Sequence, residues 1–443
     1  MHLIWENVIR NLLLLWTGEY KDLDTGREDY QLDKKVWEAI GEATAACGST
    51  IPSAYGPRQP NIAQDKSGCT ADSWSFWTLY IGPVLLNRRF KQEKYYHHFI
   101  DLVVILDLCL SFEHSDADLK AIKAGLIAWV QTYERIYYQD NPSRLSTCPI
   151  TIHGLLHIAD SIRAVGPVWV SWAFPMERYC GSLQPAITSR RFPYASINRY
   201  VLNNARLSHI ILKYGLHDEL SLCKPKTSRG AVSFENYPTC ILIPPCRPAS
   251  NIPSDVHSKI ILALATRYGV TVATARKFVP HDLEEYGRVQ ILNDGDAISA
   301  ANLYPTPGDD RRDASYVRYQ LLVDKYAHQR RRVPEYQDHT FFGQLKHIFV
   351  LHLPKSRTLK IKDDETVLLA VIRSCDVTRK HPRLDIHYYK RDGRLEVVDL
   401  TAIQCLVGRI PVPTSNEWAI IDRSGTLARA LYVEADGNVD DGE

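Results

Sequence analysis

The sequence predicts an α+β, multidomain chain, with a mainly helical amino-terminal domain followed by a small β-barrel. Three observations carry this. Apolar residues recur at three- and four-residue intervals through the first 220 positions, the period of helices with one buried face. Short β-prone runs at regular spacing fill the region after residue 340. Between them lies a stretch punctuated by prolines with little periodicity. The 443 residues are 45% hydrophobic and 23% charged, ordinary globular values that suffice for a sizeable core.

In residues 1–220, Leu3, Val8, Leu12 and Leu15 stand at helical spacing, and Asp33 is placed to cap 34–47 with Gly48 as its stop. Thr70 is placed to cap a helix through Trp74, Trp77 and Tyr80, which Gly82-Pro83 should end. Longer helices follow over 94–112 and 116–138; in the second, Leu119, Ile122, Leu126, Trp129 and Val130 share a face. Pro149 suits the first turn of a helix stopping near Gly166, and the last helix runs over about 195–214. Residues 221–340 read as a Pro-rich linker or extended wrap. Within it, 255–280 is helical, 294–313 irregular and 314–327 helix-prone. Strands are expected at 341–353, 367–375, 384–389, 395–400, 402–410 and 417–421. Asp392-Gly393 reads as a hairpin turn, because both central residues must tolerate positive φ. Such strands suit a barrel of the SH3 or BAH kind over 341–433, followed by an acidic tail at 434–443.

Fifty-three Lys and Arg against 51 Asp and Glu leave a formal charge of +2. That excludes a general polycation and leaves room for a local basic patch. No run is long and apolar enough to span a bilayer, and the start lacks the pattern of a secretory signal. The cysteines are dispersed without a C-x-x-C pair, which points to reduced thiols in a nuclear or cytoplasmic protein.

Candidate chemistry is sparse. His153, His157 and Asp160 fall on one helical face and could present two imidazoles and a carboxylate to a metal, although hydrogen-bonded core or interface histidines explain them as well. Glu6 is a candidate carboxylate for nucleotidyl chemistry, which needs two or three acids around paired cations; the plain alternative is a helix-surface glutamate. Ala265, Gly269, Val270 and Ala275 have the spacing of a helix-turn-helix, in which Thr274, Arg276 and Lys277 would face a DNA groove; the plain alternative is a helical hairpin. Arg190-Arg191 and Arg330-Arg331-Arg332 are short basic runs, either solvated faces or phosphate contacts. Phosphate-binding, dinucleotide and nucleophile-elbow loops are missing from the sequence.

Five segments carry a resemblance. L-H-I-A-D-S-I-R-A-V-G-P-V-W (156–169) and W-A-F-P-M-E-R-Y-C-G-S-L-Q (172–184) resemble a domain, spanning 145–215 here, that follows the catalytic region of CACTA-type (En/Spm) DNA transposases. M-H-L-I-W-E-N-V-I-R-N-L-L-L-L-W (1–16) resembles the tail of that family's catalytic domain. F-F-G-Q-L-K-H-I-F (341–349) and W-A-I-I-D-R-S-G (418–425) resemble the carboxyl module of fungal members. The resemblance implies a ribonuclease-H-like catalytic domain whose three acids bind Mg²⁺ or Mn²⁺. Glu6 matches the third acid, and the strands bearing the first two should precede Met1, itself then an internal methionine of a longer frame. One carboxylate cannot hold two metals, so the isolated chain is expected to carry no cofactor and not to be a transposase by itself. Glu177, Arg178, Tyr179 and Gly181 match the family core P-x-E-R-Y-x-G; a buried Glu177–Arg178 pair ordering the core would account for the first two. The expected role is non-catalytic help in transposon-end DNA binding or complex assembly. The expected partners are DNA, further copies or other transposase polypeptides, and no membrane. The alternatives are a protein-interaction module of the chromatin-reader kind and a decayed element.

Overall fold

The computed structural model describes residues 2–21, 23, 28–65, 68–216, 219–220, 230–249, 252–292, 295–303, 312–326, 328 and 332–425, with Arg178 described in its backbone only. Arg330, Arg331 and the expected tail at 434–443 lie outside the described residues.

The amino-terminal part is helical. A π-helical segment, His2–Ile9, runs into α1 (Arg10–Thr17), which Gly18 ends at φ 71°. Then come α2 (Lys34–Ala46), α3 (Ala71–Phe76), α4 (Gly82–Leu85), α5 (Glu93–Cys109), α6 (Asp116–Tyr133), α7 (Ile150–Gly154) and α8 (Ile158–Val165). Asp33 stands at the start of α2 in extended backbone, without a side-chain capping bond. Thr70 does cap α3, its Oγ1 accepting from the Ser73 N–H at 3.2 Å. The expected stop at Gly82-Pro83 is corrected: a π-helical turn, Trp77–Ile81, widens the backbone and Pro83 enters the first turn of α4. Ser115 and Asp118 form a capping box on α6. The core of this part is aromatic, with Trp16, Trp77, Phe99, Tyr133 and Tyr137 fully buried; the Trp16 Nε1–H donates to the Tyr137 hydroxyl at 2.9 Å.

Three more helices follow: α9 (Val168–Ser171), α10 (Phe174–Leu183) and α11 (Pro193–Tyr214). The chain then enters an antiparallel sheet of ten strands. These are β1 (Cys240–Ala249), β2 (Leu283–Ile291), β3 (Ala297–Ser299), β4 (Tyr316–Asp324), β5 (Tyr336–Leu353), β6 (Glu365–Lys380), β7 (Ile386–Asp399), β8 (Ile403–Leu406), β9 (Gly408–Val412) and β10 (Glu417–Ile421). Its main path is β1-β2-β5-β6-β7-β10-β9, with β3 on β2 and β4 between β5 and β8. Helices α12 (Ser254–Tyr268) and α13 (Val272–Ala275) precede β2, and Val256, Ile260, Ile261 and Leu264 of α12 pack on Phe349, Leu351, Val367 and Leu369 of the sheet.

Three sequence expectations change here. The stretch 221–340 is no mere linker: its described residues supply β1 to β4 and a helix packed on the sheet. Residues 314–327 hold a strand, because Val317 and Tyr319 are wholly buried between β5 and β8 and pairing overrides helix propensity. Asp392-Gly393 is not a hairpin turn but lies inside β7, at a register shift opposite Cys375. A side chain at Gly393 would crowd Ser374, since a Cβ would come 2.5 Å from its Oγ and 3.3 Å from its carbonyl oxygen. The turn joining β6 to β7 falls instead at 381–385.

Helical part and sheet share one core, in which Leu384, Ile386, Ile410 and Ile421 continue the helical cluster. Hydrogen bonds fasten the junction: the Thr50 hydroxyl donates to the Arg409 carbonyl at 2.6 Å, and the Tyr55 hydroxyl to the Leu406 carbonyl at 2.9 Å. Among the described residues no helix is long and apolar enough to cross a membrane, and the nine described cysteines are unpaired.

Candidate nucleic-acid interface

The chain changes character at Gly166, where φ is 98° and Pro167 follows. Before it, α8 buries Ala159 and Ile162; after it, neither α9 nor α11 buries a single residue. Pro193 opens α11 in the first turn, where its missing N–H costs nothing, and Gly215 closes it in left-handed backbone at φ 67°. With 22 residues, α11 is about 33 Å long. Its apolar side chains lack cover: Tyr194 is 80% exposed and Leu212 70%.

Charge is concentrated in the same arm. Residues 178–217 contain six Arg and Lys and no Asp or Glu, so the rest of a chain of formal charge +2 sums to −4. Arg190, Arg191, Arg199, Arg206 and Lys213 are all exposed, and none forms an ion pair among the described residues. Arg199, Arg206 and Lys213 recur every seven residues, which places them in one stripe roughly 10.5 Å apart, the rise of about three base steps. Aromatic rings accompany the charges: the Arg191 guanidinium lies 5.3 Å from the Phe192 ring centre, and the Lys213 ammonium 5.4 Å from that of Tyr214.

The other expected site residues scatter. Glu6 is half-exposed in the first helical segment and takes a hydrogen bond with His2 Nδ1. The opposite nitrogen of that imidazole, Nε2, lies 3.6 Å from Glu177 Oε1, so Glu6 and Glu177 are joined through His2. The buried Glu–Arg pair is therefore corrected, because the Glu177 side chain is half-exposed. Tyr179 is exposed and Gly181 has nothing within 4 Å of a would-be Cβ. His153 and His157 approach each other, Nε2 to Nε2 at 3.2 Å, while Asp160 turns to Lys123 at 3.0 Å. Among the described residues no group of three or more His, Cys, Asp or Glu could hold a metal ion.

The helix-turn-helix spacing resolves into α12, a left-handed Gly269 and the single turn α13. Thr274 bonds Thr271 at 2.9 Å, and Arg276 and Lys277 are exposed on a 3-10 turn, so no helix long enough to lie along a groove is presented there. Arg332 stacks on Tyr326, 3.7 Å from its ring centre.

Two buried ionic arrangements carried no sequence signal. Arg409 stacks 3.4 Å from the Tyr316 ring centre and 4.6 Å from that of Trp418, donates to the Tyr389 hydroxyl at 3.1 Å and pairs with Asp313 at 2.9 Å. Glu285 meets His347 Nδ1 at 2.6 Å and Arg247 Nε at 3.1 Å. Burial pushes its carboxyl up, but these two partners outweigh burial and hold it below the usual glutamate range. Each set joins residues far apart in the chain, which spacing cannot reveal. Comparison of the chain with protein-family models, curated proteins and solved structures finds no match.

Proposed function

We propose that the chain is the non-catalytic, carboxyl-terminal part of a fungal CACTA-type transposase, and that it holds transposon-end DNA on the arm of residues 166–216. The acid-free basic face of α11 carries the reading, since a stripe of unpaired cations beside exposed rings suits a phosphate backbone. The resemblance at 156–184 supplies the family. The contact of His2 with both Glu6 and Glu177 supports taking the resembling segments 1–16 and 172–184 as one unit. Glu6 offers one carboxylate; Mg²⁺ or Mn²⁺ would enter with further acids from another segment or polypeptide. Phosphate contacts carry little sequence information, so binding is sequence-tolerant, and a DNA target implies work in the nucleus.

Fluorescence anisotropy with a labelled terminal-repeat duplex tests this across a salt series. The wild-type chain binds, and replacing Arg199, Arg206 and Lys213 by Ala lowers the log–log salt slope by about 2.7, from roughly 0.9 per lost phosphate contact. An unchanged slope refutes the interface. Strand nicking with Mg²⁺ or Mn²⁺ that Glu6→Gln abolishes refutes the non-catalytic assignment.

A second reading, a protein-interaction module, is favoured by the uncovered apolar residues of the same arm, including Tyr194, Ile210, Leu212 and Tyr214. They suit self-association or another transposase polypeptide. A chromatin-reader version on an SH3- or BAH-like barrel draws on the grouping of Tyr316, Tyr389 and Trp418, but these rings already enclose Arg409, which a foreign cation must displace.

A further inference from the structure

Between the amino-terminal helices and the last strands lies a cavity of about 390 Å³, within the size range of small-molecule sites. Trp5, Leu79, Leu106, Trp172, Phe174 and Ile386 are among its walls, so the first helical segment, α5, the start of the arm and β7 all contribute. The Trp172 and Phe174 rings stand edge to face at 5.2 Å. Six charged residues also line it: Asp72, Asp107, Asp385, Asp422, Arg318 and Arg423.

Five of these six are engaged. Arg318 Nη1 pairs with Asp422 at 2.5 Å, and Asp422 also accepts from the Ser424 N–H at 2.7 Å. Arg423 donates to the Tyr55 carbonyl and lies 5.5 Å from the Phe76 ring centre. Asp385 pairs with Lys380 at 2.9 Å, and Asp72 has a partner of its own. The Asp107 carboxyl alone among them has neither hydrogen bond nor ion pair among the described residues. It sits on α5 one turn from the buried Val103, where desolvation pushes its carboxyl up to about 7. An unpartnered carboxyl on an apolar wall costs free energy that a donor on a ligand would recover. The lining acids outnumber the arginines four to two and both arginines are occupied, which disfavours an anion. A purely apolar guest would leave Asp107 unsatisfied.

We propose that this cavity binds a small hydrophobic amine, its protonated nitrogen held by Asp107 and its aromatic or alkyl body seated against Trp5, Trp172 and Phe174. Aromatic faces near the anchoring carboxylate stabilise the same cation. The site is independent of the DNA-binding reading and stands whether or not α11 contacts a duplex.

Isothermal titration of the full chain at pH 8 tests it, with 2-phenylethylamine as probe beside neutral 2-phenylethanol and anionic 3-phenylpropionate. The expected result is saturable 1:1 binding of the amine, at least tenfold weaker binding of the alcohol and none of the carboxylate. Asp107→Asn, which removes a desolvated charge and leaves the helix intact by circular dichroism, should weaken amine binding at least tenfold and leave the alcohol unchanged. Going from pH 8 to pH 6 should weaken the amine about tenfold in the wild type as Asp107 takes up its proton, with no such change in the variant. Absence of saturable amine binding, equal affinity for amine and alcohol, or full amine affinity in Asp107→Asn overturns the proposal.

Discussion

Helices α5 and α11 show how differently two long helices of one chain can be used. The first, of 17 residues, buries ten side chains; the second, of 22 residues, buries none. Both are rich in aromatic and aliphatic residues, although α5 carries three acids and α11 none. Burial separates them further. Most of a helix's stability in a protein comes from packing one face, and an unpacked helix goes without that support. An arm that keeps such a helix carries its apolar and basic surface outward, where a partner can use it.

The contrast breaks most easily at the core. Trp77 is fully buried and its Nε1–H donates to Thr44 Oγ1 at 3.2 Å. Trp77→Ala should cost about 3–5 kcal/mol in urea unfolding, whereas Leu212→Ala in the arm should stay within about 0.5 kcal/mol. Comparable losses at the two positions would mean that α11 is packed in solution.

A pH series sharpens it. His98 is buried in α5, stacked on Trp129 at 4.4 Å, and burial lowers its pKa to about 4 against a partly compensating hydrogen bond with the Trp129 carbonyl. The unfolded chain binds this proton near pH 6.5 and the folded chain only near 4. Stability is therefore fully present above 6.5 and lost as pH falls towards 4, by up to about 3 kcal/mol. His381, lowered in the same way, adds in the same direction. Urea midpoints measured between pH 7 and 4.5 should fall less steeply in His98→Gln, with the His381 share remaining, and keep their slope in His209→Gln, an exposed position of the arm.

The smallest effect is on the arm itself. Amides of residues 193–214 should exchange faster than those of 93–109. A duplex at ten times its Kd should add about 1.4 kcal/mol to their protection by mass action. Protection of 93–109 without any at 193–214 would place the DNA elsewhere.

Much of the helical part was legible in the sequence. The Thr70 cap, the buried stripe from Leu119 to Val130 and the stop at Gly166 are local signals, and each element forms where its signal stands. The α+β order and the run of later strands were legible too. Illegible were the continuation through Gly82-Pro83, the strand at 316–324 and the bulge at Asp392-Gly393. In the strand and the bulge distant pairing overrides the local preference, while at Gly82-Pro83 a π-helical turn carries the chain on. The basic pair Arg190-Arg191 was legible as a charge run, while the absence of any covering element on α11 was not.

The sequence by itself determined the helix boundaries that rest on caps and period, the near-balance of charge and the acid-free stretch 178–217, because these are properties of neighbours along the chain. Tertiary structure alone decided which helix is buried, which cation is caged and which cavity-lining carboxyl is left without a partner among the described residues. Arg409 lies within Tyr316, Tyr389 and Trp418, and Asp107 faces a cavity walled by segments from both ends of the chain. Burial and pairing depend on what long-range packing brings alongside a residue, and no local window of sequence records that.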